Sequence, residues 1–337
     1  MQIDQYIKAF LTGLFCAFSG AASASGACEG TDLRTSMPAA QLEKAQKRAA
    51  DAPFAEGNHW RAIRGGKVIH IIGTIHLSDP RLTPITERLA GVIETSDLLL
   101  LEAGPKEEAA LKTELATRPE LMFLDGATLP ELLVEDDWAR LADAMKQRGI
   151  PPVLGSRFQP WYLSVMLGMP PCLLTQMQNG GAEGLDHRLK NVALDADVEV
   201  RGLEPHDTLF QIFNDDPLEQ QIELMLLGLE TADQSLDALE TVVAAYFDQQ
   251  ALLAWEISRS VALQIEGESP DRLGYLFDRM EANLLTKRNL AWMPVMLEAL
   301  KTRTQISVAV GAGHLGGEQG VLSLLETMGF KLERLPL

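Results

Sequence analysis

The chain has 337 residues, of which 46% are hydrophobic and 23% charged, and a formal net charge of −18. That length is enough to bury a sizeable core, as one large domain or two small ones. So acidic a composition argues against nucleic acid and anionic membrane surfaces as main partners, and it names no substrate.

The first thirty residues, MQIDQYIKAFLTGLFCAFSGAASASGACEG, start with little charge, run apolar from Ala9 to Phe18 and then turn to small residues. Ala22-Ser23-Ala24 has the A-x-A form of a cleavage site, with Ser25-Gly26-Ala27 as a second option. The apolar run is too short to span a bilayer comfortably, so the segment reads as a secretory signal peptide over residues 1–24. The competing reading is an N-terminal helix, and Asp4 departs from the usual positive start. Export to the periplasm or medium follows from the first reading, with no stable membrane span after cleavage. Ser25-Gly26-Ala27-Cys28 lacks the apolar residue of a lipoprotein box. Cleavage removes Cys16 and leaves Cys28 and Cys172. In an oxidising compartment these form one disulfide, or else remain two separate buried thiols.

From residue 28 the chain reads as one domain to residue 337. Residues 38–51 form a solvent-facing helix. Arg64-Gly65-Gly66-Lys67 is a hairpin turn between two short apolar runs. The second run, Val68 to Ile72, leads into Gly73-Thr74-Ile75-His76. A helix begins near Asp79, with Leu82, Ile85, Leu89, Val92 and Ile93 on its apolar face. DLLLLEAG is a buried strand ending at Glu102, so strand, helix and strand make a parallel pair. Prolines 151, 152, 160, 170 and 171 interrupt a helical middle. A helix from Leu185 precedes a strand over Val198–Leu203. Leucine, alanine and methionine at helical spacing fill about 206–303 as core. QISVAVGAGHLGG returns to strand and turn, and a helix and strand close the chain. No sequence repeat or low-complexity tract interrupts this order. The fold class is therefore α/β: a mixed, largely parallel central sheet built from N- and C-terminal segments, with a large helical insertion.

Two strands end alike, as Gly73-x-x-His76 and Gly311-x-x-His314, each with a glycine at the turn. Two others end in Glu102 and Glu204. Ligands of open α/β sheets bind beyond the carboxyl ends of the strands, so parallel strands would bring His76, Glu102, Glu204 and His314 to one edge. Two histidines and one or two carboxylates suit zinc, cobalt or manganese. A metal held there would acidify a bound water, and a free carboxylate would act as general base. Acid–base hydrolysis without metal is the other chemistry these groups allow. Alone, each is an ordinary turn or surface residue. Gly311-x-Gly313-x-x-Gly316 has the spacing of a dinucleotide-binding turn, with Glu333 near the acidic position. That fold builds outward through several more units, and the chain ends soon after Glu333.

The segments IIGTIHLSDP, LLLLEAG, AEGLD, VRGLEP, KRNLAWMPVM and VAVGAGHLGGEQGVLSLLETMGFKLERL together resemble the TraB/GumN family. Its clan also holds PrgY, which blocks a peptide pheromone, and the TIKI proteases of animals. The resemblance implies a metal-dependent hydrolase fold related to the ChaN and erythromycin esterase groups. It implies metal-binding roles for His76, Glu102 and His314. It adds Arg288 and Asn289, to stabilise an oxyanion and orient substrate, and Asp186 as a partner behind the site. Pro205 stands where the family often has threonine, which leaves the role of Glu204 open.

Two functions follow. One is an exported metal-dependent hydrolase using manganese, cobalt or zinc, acting on a peptide or small exported substrate. The other is a protein that sequesters such a factor in the same pocket without cleaving it. A haem or metal carrier is a weaker third reading, since no Cys-x-x-Cys-His motif is present.

Overall fold

The computed structural model describes residues 28–178 and 183–337. The expected signal peptide lies outside the described residues. Among the described residues six strands form one sheet in the order β4-β3-β5-β2-β1-β6. They are β1 (His59–Arg64), β2 (Lys67–Thr74), β3 (Leu99–Leu101), β4 (Val200–Gly202), β5 (Gln305–Gly311) and β6 (Lys331–Arg334). β2, β5, β3 and β4 run parallel, while β1 pairs antiparallel with both β2 and β6. The sheet is thus mixed and mostly parallel, and both ends of the chain contribute to it.

Sequence explains the placement of the strands. β5 is a run of small and branched apolar residues buried on both faces, as a central parallel strand requires. β1 and β2 are joined at Gly65 and Gly66, whose φ values of 56° and 77° match a tight hairpin turn. On one face, Trp292, Met296 and Leu300 of helix Lys287–Thr302 and Leu322 and Leu325 of helix Val321–Thr327 pack on Ile69, Ile71, Ile306 and Val308. On the other, helices Leu82–Glu94 and Leu185–Asp195 cover Ile72, Leu99, Leu101 and Ala309. A separate cluster around Phe158, Tyr162 and Leu163 joins the helices of the middle of the chain. Helices from Thr208–Asn214 to Lys287–Thr302 occupy the stretch between β4 and β5. Cys28 and Cys172 are disulfide-bonded with their Cα atoms 5.8 Å apart. No helix among the described residues is long and apolar enough to cross a membrane.

Four expectations need correction. The helix expected near Asp79 begins at Leu82, because Asp79 caps the preceding turn by accepting from the Arg81 amide. The strand expected over Val198–Leu203 is only Val200–Gly202. Helix Ala39–Asp51 is not simply solvent-facing, since Ala45 and Ala49 pack against Leu253 and Ile257. β2 and β3 are parallel but not neighbours: β5 lies between them and pairs with both. β5, from the C-terminal part of the chain, therefore enters the middle of the sheet and carries its own turn to the site.

Candidate functional site

Register sets the site. Thr74 of β2 pairs with Gly311 of β5, and Leu101 of β3 pairs with Ala309 of β5 and Gly202 of β4. The carboxyl ends of four parallel strands are level, and His76, Glu102, Glu204 and His314 each lie one to three residues beyond them. The two Gly-x-x-His turns pack on each other. A Cβ on Gly73 would sit 3.1 Å from both Cα and Cβ of Ala312, so the first glycine admits the second turn. A Cβ on Gly311 would lie 3.3 Å from Glu102 Oε1, 3.6 Å from His314 Cδ2 and 3.9 Å from His76 Nε2. The second glycine thus leaves open the space these three side chains surround.

Arg288 organises the cluster. It lies in the first turn of helix Lys287–Thr302, one helical turn before the fully buried Trp292. Its Nε and Nη2 donate to the two oxygens of Glu204 at 2.9 and 2.7 Å, a bidentate pair. Nη2 also donates to Glu102 Oε2 at 2.6 Å. Nη1 donates to the Leu284 carbonyl and to His314 Nε2, each at 3.2 Å. All five guanidinium N–H groups are engaged within the protein. Trp292 Nε1 adds a 2.9 Å bond to Glu204 Oε2. Glu102 Oε1 accepts the Gly311 amide at 2.7 Å. Burial raises the Glu204 carboxyl against the pull of Arg288. Burial also works to raise Glu102, but Arg288, His314, His76 and the Gly311 amide together hold it well below the carboxylate range.

The two histidines differ. The Asn289 amide donates to the carbonyls of Gln319 at 2.9 Å and His314 at 3.4 Å, which turns its Oδ1 toward His314 Nδ1, 2.7 Å away. His314 is therefore the Nδ1–H tautomer, with its Nε2 lone pair accepting from Arg288. Burial holds it neutral, with a pKa lowered to about 3. His76 is about half exposed, at 51% of its side chain, and is the most accessible member of the cluster. Its Nδ1 lies 3.0 Å from Asp186 Oδ1 and its Nε2 3.9 Å from Glu102 Oε1. The Asp186 carboxylate raises its pKa to about 9, so at neutral pH it is a half-exposed cation.

A model of the TraB/PrgY/gumN family matches residues 58–334, a span that contains every one of these side chains. The chain belongs to this family. The uncharacterized protein YbaP of Escherichia coli (strain K12) is 26% identical over 278 residues, 80% of this chain and 94% of that protein. YbaP of Shigella flexneri aligns to the same extent.

The donor chemistry of this family member, two imidazoles and a carboxylate, is of a kind that holds manganese, cobalt or zinc. The arrangement as folded does not fit a resident dication. A metal ligated by His314 Nε2 needs the lone pair that Arg288 occupies, and the fixed guanidinium would repel it. Both imidazole Nε2 atoms lie 3.9 Å from Glu102 Oε1. Among the described residues no group of three or more His, Cys, Asp or Glu has a metal-holding arrangement. The expected oxyanion-binding role of Arg288 and the substrate-orienting role of Asn289 also meet a geometric obstacle: their donors are bonded to protein groups, and both side chains are buried.

Three contributors were not singled out in the sequence. Gly184 lets the GLD segment dock, because a Cβ there would lie 2.4 Å from the Ile75 carbonyl oxygen and 2.7 Å from His76 Cα. The Leu185 amide then donates to Ile75 O at 3.0 Å, and Asp186 follows in the first turn of its helix. Trp292 was visible only as the residue four after Arg288. Tyr246, whose hydroxyl donates to the Gly73 carbonyl at 3.1 Å, arrives from a distant helix and had no sequence signal.

Proposed function

We propose that this TraB-family protein is an exported hydrolase that cleaves an amide bond, most simply in a peptide, by acid–base chemistry at His76 and Glu102. The observation that carries the reading is the 3.9 Å gap between His76 Nε2 and Glu102 Oε1. It is too long for a direct hydrogen bond and short enough for one oxygen atom to touch both groups. Glu102, kept ionised, orients a water there and accepts its proton. The His76 imidazolium, backed by Asp186, stabilises the developing oxyanion and then protonates the leaving nitrogen. Positioned acid–base groups contribute about 10²–10⁴-fold in rate when their pKa lies near the working pH, so the strongly lowered Glu102 contributes mainly by orienting the water. Arg288 holds Glu102 charged and both glutamates in place, and Asn289 fixes His314. Export is supported by the disulfide and by the apolar N-terminal run.

The metal-dependent form of the hydrolase requires Arg288 to leave His314 Nε2, whereas the metal-free form needs no rearrangement. The test is a peptide library incubated with wild type, His76→Ala and Glu102→Gln. Each is run in chelator and with manganese, cobalt or zinc, with products read by mass spectrometry and binding by calorimetry. Cleavage in chelator that both variants lose is the expected result. Cleavage only with metal would restore the metal-dependent reading. Saturable binding without product would favour a sequestering protein.

A further inference from the structure

The helices between β4 and β5, with helix Pro160–Gly168, line a half-open cavity of about 420 Å³. That is within the ~300–1,000 Å³ of small-ligand sites. Its wall is mostly apolar, with Phe213, Leu227, Val261 and Leu276 among the lining residues. Four hydroxyls on the wall are satisfied locally: Ser164, Thr231, Thr241 and Ser258 each donate to a backbone carbonyl three or four residues earlier. Apart from Asp216, Gln221, Gln234, Arg279 and Asn283, such a wall has few partners for the amides of a peptide. It suits a chain that needs no hydrogen bonds.

Two observations indicate that the cavity is built for an occupant with a polar end. Gln221 is buried on the wall, its amide donates to the Asp216 carbonyl, and its Oε1 is buried with no partner, an acceptor that the N–H of a fatty acyl amide can meet and a carboxylate cannot. The cavity shares Ile212, Asp216, Arg279 and Asn283 with a second one of about 570 Å³, which reaches Lys287, Arg288 and Glu204. Lys287 there donates to Asn283 Oδ1 at 2.7 Å and forms no ion pair among the described residues, although Glu204, Asp215 and Asp216 line the same cavity. The link between cavity and site is the π-helical turn Ala282–Thr286, a geometry frequent at functional sites. Its Leu284 lines the first cavity and accepts from Arg288 through its carbonyl. His76, Glu102 and His314 line neither cavity.

We infer that the cavity binds the aliphatic chain of a fatty acid or fatty-acylated ligand, with the head group toward Lys287. The assignment does not depend on the hydrolase reading, since it is a binding claim. The probe is cis-parinaric acid, a fluorescent fatty acid, displaced from the full chain by palmitic acid, by palmitoylglycine or by an unacylated apolar peptide. Gly228→Phe and Gly168→Phe place an aromatic ring at two lining positions on different helices. A Cβ at either glycine meets nothing within 4 Å, so both variants are expected to fold, which circular dichroism checks. The expected result is saturable binding, displacement by an acylated competitor, and weakening by about tenfold or more in either variant that folds. Displacement by palmitic acid alone identifies the free acid as the source. Displacement by palmitoylglycine alone identifies an acylated ligand. No saturable binding, displacement by the peptide instead, or wild-type affinity in a folded phenylalanine variant would overturn the inference.

Discussion

Replacing Arg288 by methionine tests whether this side chain is the anchor of the site. Arg288 and Glu204 keep only 8% and 9% of their side chains exposed, and Glu102 keeps 19%. The substitution leaves two carboxylates in one pocket, with the half-exposed His76, 3.9 Å from Glu102, as the nearest remaining cation. Breaking a buried ion pair by removing one partner costs about 3–5 kcal/mol. That is a large part of the ~5–15 kcal/mol that holds a folded protein together. Arg288→Lys keeps the charge but loses the fork, and is expected to cost about 2 kcal/mol, one charge-assisted hydrogen bond. Burial already raises Glu204. Without Arg288 its folded pKa rises further above its unfolded value, so the methionine variant regains stability as pH falls through that raised value. Adding Glu204→Gln to the methionine variant removes one of the two stranded charges and should recover ~1–3 kcal/mol. The assay is urea unfolding of the four proteins near neutral pH and again in mild acid. A methionine variant within about 1 kcal/mol of wild type, or a penalty that does not shrink in acid, would refute the anchor argument.

The pH dependence of stability has a definite sign on each side. His314 and His70 are lowered from 6.5 to about 3 and about 4, so between those values and 6.5 the unfolded chain binds protons the folded one refuses, and stability rises with pH. His76 is raised from 6.5 to about 9, so its contribution is full below 6.5 and is lost as pH rises toward 9. Urea midpoints should peak near the middle of the range, and His76→Gln should flatten the alkaline decline; a decline unchanged in that variant would exclude His76 as its source. If His76 is the acid of the proposed hydrolysis, turnover falls as pH rises through about 9; a rate that climbs through the same interval would make it the base. Gly184→Ala sets a Cβ 2.4 Å from the Ile75 carbonyl oxygen, so the Asp186 turn must retreat from His76. A loss of ~1–3 kcal/mol is expected, with a lower His76 pKa in an imidazole NMR titration; an unshifted pKa would disconnect Gly184 from the site. Cys172→Ser opens a covalent loop of sequence separation 144. It should cost about 2–5 kcal/mol by thermal or urea unfolding, and a stability equal to wild type would show the bridge to be dispensable.

Most of the sheet was legible because burial writes itself into composition. The leucines of β3 and the VAVG of β5 have no polar alternation, and each is buried on both faces. Turn chemistry located the β1–β2 hairpin through Gly65 and Gly66. Strand neighbourhood was not legible. Helix Leu82–Glu94 between β2 and β3 made them look adjacent, but a crossover only sets the direction of the next strand, not the space left beside it. That space is filled by β5, more than two hundred residues later in the chain.

The dinucleotide-like spacing around Gly311 shows why a motif needs its context. The turn it opens is a short 3₁₀ segment over Ala312–His314, and the next α-helix starts only at Val321, so no helix N-terminus faces a phosphate. Gly316 instead admits the Phe54 carbonyl, which an added Cβ would approach to 2.5 Å, and Glu333 pairs with Arg61 across β1 and β6. What the turn does carry is His314, so the histidine is the informative residue of that stretch.

The site residues themselves could be read from strand ends, but their chemistry depends on lone pairs, which residue types do not specify. Two histidines and a glutamate have the same composition in a metal site and in an ion-pair network. The choice is made by Asn289, whose two carbonyl contacts fix its amide and through it the tautomer of His314. The Nε2 lone pair then faces a guanidinium that two carboxylates already hold. His76 has no such constraint on Nε2 and stays half exposed. One histidine is thus fixed and neutral, while the other remains charged and accessible. Similar motifs at two strand ends therefore serve different ends, a division set by the groups that helices Leu185–Asp195 and Lys287–Thr302 bring to each.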